Sequence, residues 1–175
     1  MQNKRSLFII TCTAIFTAII VLATSIIKFS TGLGEGYIHL GDSIIYLTAC
    51  ILPFPYCLIA GALGGALADI ISGFAVWSIP TVIIKMMNIL PFALACRKNK
   101  SDKILNKKTA LMPVVSGIIT ILCYFVAECF LYSVASATLS ILGNTIQAVA
   151  SGIIFIIMAH TLDKINFKSK ITKGV

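Results

Sequence analysis

The sequence predicts an all-α integral membrane protein: a compact bundle of six membrane-spanning helices with both termini in the cytoplasm. Three observations predict it. Of 175 residues, 58% are hydrophobic and 11% charged, and the mean hydropathy is +1.00. A soluble domain carries roughly 25% charged residues. The apolar residues come in runs near ~20 residues, the length of a helix across a bilayer, not in the ~10-residue alternating segments of a membrane barrel. Twelve of the fourteen Lys and Arg residues flank those runs, as the positive-inside rule requires. The length suits one transmembrane domain, residues 1–175.

Span 1 covers residues 6–28. Its start resembles a signal sequence, but the apolar stretch from Leu7 to Ile27 is longer than an ordinary signal core and no small-residue cleavage site follows. It is read as a retained span. A Gly-rich loop, residues 30–39, comes next. Span 2 covers residues 40–52 and is stopped by Pro53 and Pro55. Its helix would rise only about 20 Å, less than a ~30 Å hydrocarbon core, so tilt, extension by the loop or re-entry are all open. Span 3 covers 56–72, and Trp77 in the following turn suits a membrane interface. Span 4 covers 80–96 and opens on Pro80, a favourable first-turn residue. Spans 5 and 6 cover 109–133 and 138–162.

Charge supports six crossings. Lys4 and Arg5, the loop cluster from Arg97 to Lys108, and the tail lysines Lys164, Lys168, Lys170 and Lys173 all fall on one side only if span 2 crosses. The net charge of +8 is thereby assigned to anionic lipid headgroups and not to nucleic acid. Six cysteines lie within or at the ends of apolar runs, without a Cys-x-x-Cys pair, and read as small packing residues.

The polar residues inside the spans fall at similar depth, about 7–14 Å from the outer ends. Lys85 and Asn88 share a face of span 4, Tyr124 and Glu128 of span 5, and Asn144 and Gln147 of span 6. Turned to lipid such faces are costly, so they should converge inside the bundle as a pocket for a small polar molecule. A structural Lys85–Glu128 ion pair with the amides tying helices together is the other reading. Asp42 is either a cap for span 2 or a ligand contact. Asp69 is either a water-exposed helix-end residue or a ligand contact. Glu35, Tyr37 and His39 lie beside glycines in a loop that suits a lid or a plain connector. His160 is read as interfacial. The small residues of span 3, from Ala60 to Ala68, suit internal packing, and Ala14 with Ala18 in span 1 suits packing or docking of a membrane partner.

With these residues in place, the chain resembles the substrate-binding S components of energy-coupling factor (ECF) vitamin transporters, riboflavin or hydroxymethylpyrimidine branch. The resemblance rests on Ala14-x-x-x-Ala18, on the stretch from Tyr37 to Asp42, on Gly61 to Asp69 with Gly73, and on Lys85, in that order and spacing. It implies a pocket near the extracellular face, contacts from helices 4 to 6 (Lys85, Asn88, Tyr124, Glu128, Asn144, Gln147), and a lid between helices 1 and 2. It also implies docking of the Ala14/Ala18 face on a transmembrane T component driven by two cytoplasmic ATPases. The ligand would be a hydroxymethylpyrimidine- or pyridoxine-like ring, or riboflavin, with no cofactor or metal, in a bacterial plasma membrane. The chain lacks a Walker A sequence and cannot hydrolyse ATP itself.

Two other classes compete. A stand-alone secondary transporter or channel would use Lys85 and Glu128 as an ion or proton relay, but lacks the paired broken helices of inverted repeats. An intramembrane enzyme finds no Ser/His dyad, metal motif or clustered aspartates to support it.

Overall fold

The computed structural model describes residues 2–26, 28–30, 37–97 and 102–172. Four helices are long and apolar enough to cross a membrane: α1 (Gln2–Ser25), α4 (Ser78–Arg97), α5 (Lys107–Leu131) and α6 (Val134–Lys164). Two shorter apolar helices, α2 (Gly41–Ile51) and α3 (Tyr56–Ile71), complete the bundle, and a short α7 (Phe167–Thr172) follows. Large apolar side chains such as Leu7, Ile79, Leu139 and Ile157 lie exposed around the outside, as lipid-facing residues do.

The short second helix has a physical reason. Every residue from Gly41 to Ile51 is buried, so α2 is the axis of the bundle and needs no lipid-facing length. Its Tyr46 stacks on Phe92 of α4 at 4.5 Å, and Phe155 of α6 meets both rings edge-on. The small residues of α3 pack inward, as expected of them. A Cβ on Gly64 would come within 2.6 Å of Ile20 in α1, and one on Gly65 within 2.9 Å of Lys85. Both glycines therefore permit close backbone approach, and Gly65 makes room for the stem of Lys85.

Several boundaries differ from the expected ones. Residue 28, assigned to span 1, instead opens a strand: β1 (Lys28–Ser30) pairs antiparallel with β2 (Tyr37–His39), Lys28 opposite His39. The connector thus leads into α2 through an ordered ribbon end. Span 5 ends at Leu131 and span 6 starts early, at Val134, because the Ser133 hydroxyl caps α6 by accepting from Ser136 N–H at 3.2 Å. Helix α5 starts at Lys107 behind a capping box of Asn106 and Thr109.

One end of the bundle carries Lys4, Arg5, Lys103, Lys107, Lys108, α7 and its lysines, as the helix directions require. There Asp163 of α6 accepts from Ile104 N–H at 2.7 Å and Leu105 N–H at 2.9 Å. This clamps the basic connector, and Ile104 is fully buried beneath it. Asp163→Ala should lower stability by about 1–3 kcal/mol, since two backbone donors lose their partner. Thermal unfolding in detergent checks this, and an unchanged midpoint would show that the connector holds without the clamp. Cys50 and Cys96 lie 3.2 Å apart (Sγ–Sγ) as free thiols between α2 and α4, inside the packing expected of the cysteines.

Candidate functional site

A cavity of about 80 Å³ opens at the other end of the bundle. Its walls come from the C-terminal ends of α1, α3 and α5 and the N-terminal ends of α2, α4 and α6. Of the residues expected there, Lys85, Tyr124, Glu128, Asn144 and Gln147 line it, and His39 joins them from β2. Asp42 and Asp69 line it as well.

The electrostatic centre is an ion pair. Lys85 Nζ lies 2.5 Å from Asp42 Oδ1, with both side chains 2% exposed. The Lys85–Glu128 pair considered from the sequence is not formed, because Asp42 projects from the central helix directly at α4. Asp42 is also not a cap: Leu40 holds that position and makes no side-chain capping bond. The ammonium lies 5.6 Å from the centroid of the Tyr124 ring, a favourable cation–π distance. Asp69 is buried, not water-exposed.

Gln147 lines the cavity, and its amide also bonds to the protein around it. Its Oε1 accepts from the His39 N–H at 2.8 Å, and its Nε2 donates to the His39 carbonyl at 2.9 Å. The same Nε2 reaches Ser151 Oγ at 2.9 Å and Asp42 Oδ2 at 3.4 Å. The amide's polar atoms are thus occupied by protein, and they tie β2 to α6. His39 is held in turn: its Nδ1 accepts from Gly41 N–H at 3.1 Å, and burial pushes the imidazole pKa down to about 4. His39 is a fixed, neutral anchor of the connector. Glu35 lies outside the described residues, and of Tyr37 only the backbone, paired with Ser30, is described.

Asn88 is not among the lining residues. It lies one layer below, where Nδ2 donates to Thr120 Oγ1 at 2.7 Å and its backbone carbonyl accepts from Ser116 at 2.7 Å. It joins α4 to α5 and supports the floor through Thr120. The sequence reading missed Thr24, Thr81, Thr120 and Gly65 as lining residues. Thr81 and Thr120 each precede a chosen residue by four, Lys85 and Tyr124, so shared helix face was the available signal.

An aromatic wall completes the cavity. Phe74 and Trp77 line it beside Tyr124. Trp77 lies 5.8 Å from the Tyr124 ring and 5.9 Å from Tyr132, and donates from Nε1 to the Tyr132 hydroxyl at 3.1 Å.

Residues 4–164 match the family model described as ECF-type riboflavin transporter, S component. The chain belongs to this family. No individually curated protein matches it. An S component is the substrate-binding subunit of a vitamin transporter, so this chain is a multi-pass membrane protein of a transporter family and not of an enzyme family. At the family level, S components work with a transmembrane T component and ATPase subunits. The S-component chain has a second concavity, an outward-facing apolar groove of about 670 Å³ between α1 and α3. Ala14 and Ala18 lie in it, exposed, beside Ile59, Leu63 and Leu67.

Proposed function

We propose that this S component captures a small vitamin or vitamin precursor from the extracellular side for ATP-driven uptake across a bacterial plasma membrane. The observation that carries the reading is the polarity of the bundle: the polar cavity lies at one end and the lysine-rich segments at the other. Under the positive-inside rule the basic end faces the cytoplasm, so the cavity faces out. On this reading α1 to α6 make six crossings, with α2 completed by the ribbon end, and both termini are cytoplasmic.

Lys85, Tyr124, Glu128 and Asn144 are the ligand-facing residues. Asn88 supports them from below, and Gln147 acts mainly through the backbone of His39. The connector between α1 and α2, with Glu35, Tyr37 and His39, is the lid. A pocket enclosing a drug-sized ligand is usually ~300 Å³ or more. At about 80 Å³ the cavity is small for either candidate, and a single hydroxylated ring of the hydroxymethylpyrimidine or pyridoxine kind needs the walls to move apart less than riboflavin does. Small-molecule mass spectrometry on the protein purified in mild detergent tests this. A retained vitamin-type compound supports the reading, and a folded preparation that retains nothing and binds nothing from a vitamin panel sinks it.

The T component docks on the Ala14/Ala18 face, where small residues let a partner helix approach closely. Two cytoplasmic ATPases supply the energy. Ala18→Trp should leave ligand affinity within about twofold while reducing ATP-driven uptake in the reconstituted complex by tenfold or more. Unchanged uptake would remove this face from the interface.

A further inference from the structure

Glu128 stands apart from the ion pair of Asp42 and Lys85, with which it lines the cavity. Lys85 is committed to Asp42 at 2.5 Å and makes no ion pair with Glu128. His39 adds no charge, since burial keeps its imidazole neutral at physiological pH. Glu128 is only 8% exposed, and its Oε2 has no hydrogen-bond partner among the described residues. Its polar neighbours on α6, Ser140 and Asn144, are neutral. A buried carboxylate without a counter-charge is costly, so such a group in a ligand cavity is matched by what the ligand brings.

The wall beside Glu128 is aromatic. Tyr124 lies one turn before it on α5, and Trp77 and Phe74 face the same space. The Trp77–Tyr124 contact and the Trp77–Tyr132 hydrogen bond fix the indole in place. Flat π-faces beside a buried carboxylate are suited to a flat organic cation: the rings attract the charge and stack on its plane, while the carboxylate pairs with its nitrogen.

We infer that the ligand is a flat heteroaromatic cation, or a ring with a protonated amidine-type nitrogen, with that nitrogen paired to Glu128 and the ring lying against Trp77 and Tyr124. The inference rests on the binding-subunit reading and adds the ligand's charge to it. A neutral ring system would leave Glu128 without a counter-charge.

The test is a titration of the full chain in lipid nanodiscs with three probes: 3-(hydroxymethyl)-1-methylpyridinium, its uncharged carbon isostere 3-methylbenzyl alcohol, and riboflavin. The cation should bind at least tenfold more tightly than the isostere. Glu128→Gln should abolish that preference, and Glu128→Asp, which keeps the charge, should retain most of it. Equal affinity for cation and isostere, or riboflavin binding with no binding of the cation, overturns the charge assignment while the binding-subunit reading stands. No binding of any probe, with no co-purified vitamin-type compound, overturns both. If Glu128→Gln does not fold, the ratio of cation to isostere on the unaltered chain still decides.

Discussion

Lys85→Met should destabilise the bundle by about 3–5 kcal/mol, the cost of leaving a buried carboxylate without its partner. Asp42 is 1% exposed on the central helix, at the wall of the cavity. Its remaining described contact is the long bond from Gln147, at 3.4 Å. At roughly 2–4 °C per kcal/mol for a chain of this size, the unfolding midpoint should fall by about 6–20 °C. The double variant Lys85→Met with Asp42→Asn should recover most of that loss, since the lone charge is gone. Ligand binding should not recover, because the polar centre of the cavity is gone as well. A single variant as stable as the parent would show that water or a neighbouring group already screens Asp42. A double variant that binds normally would make the ion pair purely structural.

The fold was largely legible in the sequence because lipid imposes few choices. Apolar run length and the Lys/Arg clusters set the helices and the basic end. The polar faces of spans 4, 5 and 6 meet around one cavity, with Asn88 a layer below it, because i,i+3 and i,i+4 spacing fixes shared direction on a helix. The partner across the bundle was not legible. Lys85 and Asp42 are 43 residues apart, and an acidic residue at the start of a helix reads equally well as a cap. Asn88 and Gln147 show the same limit: spacing places an amide at a depth but does not say whether its bonds go to ligand or to protein. The lining threonines were hidden for a different reason. Most membrane threonines bond to the carbonyl four residues back, as Thr13, Thr17 and Thr48 do here, so threonine in an apolar run carries little signal. The shortness of α2 looked like a weakness of the assignment, whereas a helix enclosed on all sides needs no bilayer-matched length.

Gln147→Leu should loosen the connector and speed ligand release by about 10- to 100-fold. The side chain keeps its approximate volume but loses the pair of bonds to the His39 N–H and carbonyl. Two such bonds are worth about 1–3 kcal/mol together, which sets the factor if release requires β2 to leave α6. The amide of Gln147 also touches Asp42, so the connector and the ion pair share one latch. A ligand that draws on Asp42 or Lys85 therefore acts on the same side chain that holds the lid's base. Hydrogen exchange gives a readout that a simple ligand contact would not move. The His39 amide should exchange faster in Gln147→Leu even without ligand. Asn144→Ala, on the same helix and lining the same cavity, should weaken affinity with exchange at His39 unchanged. If His39 exchange is the same in Gln147→Leu as in the parent, the amide is not the latch and its bonds to the strand are incidental. If exchange rises but release does not, the connector opens at its base without gating the cavity.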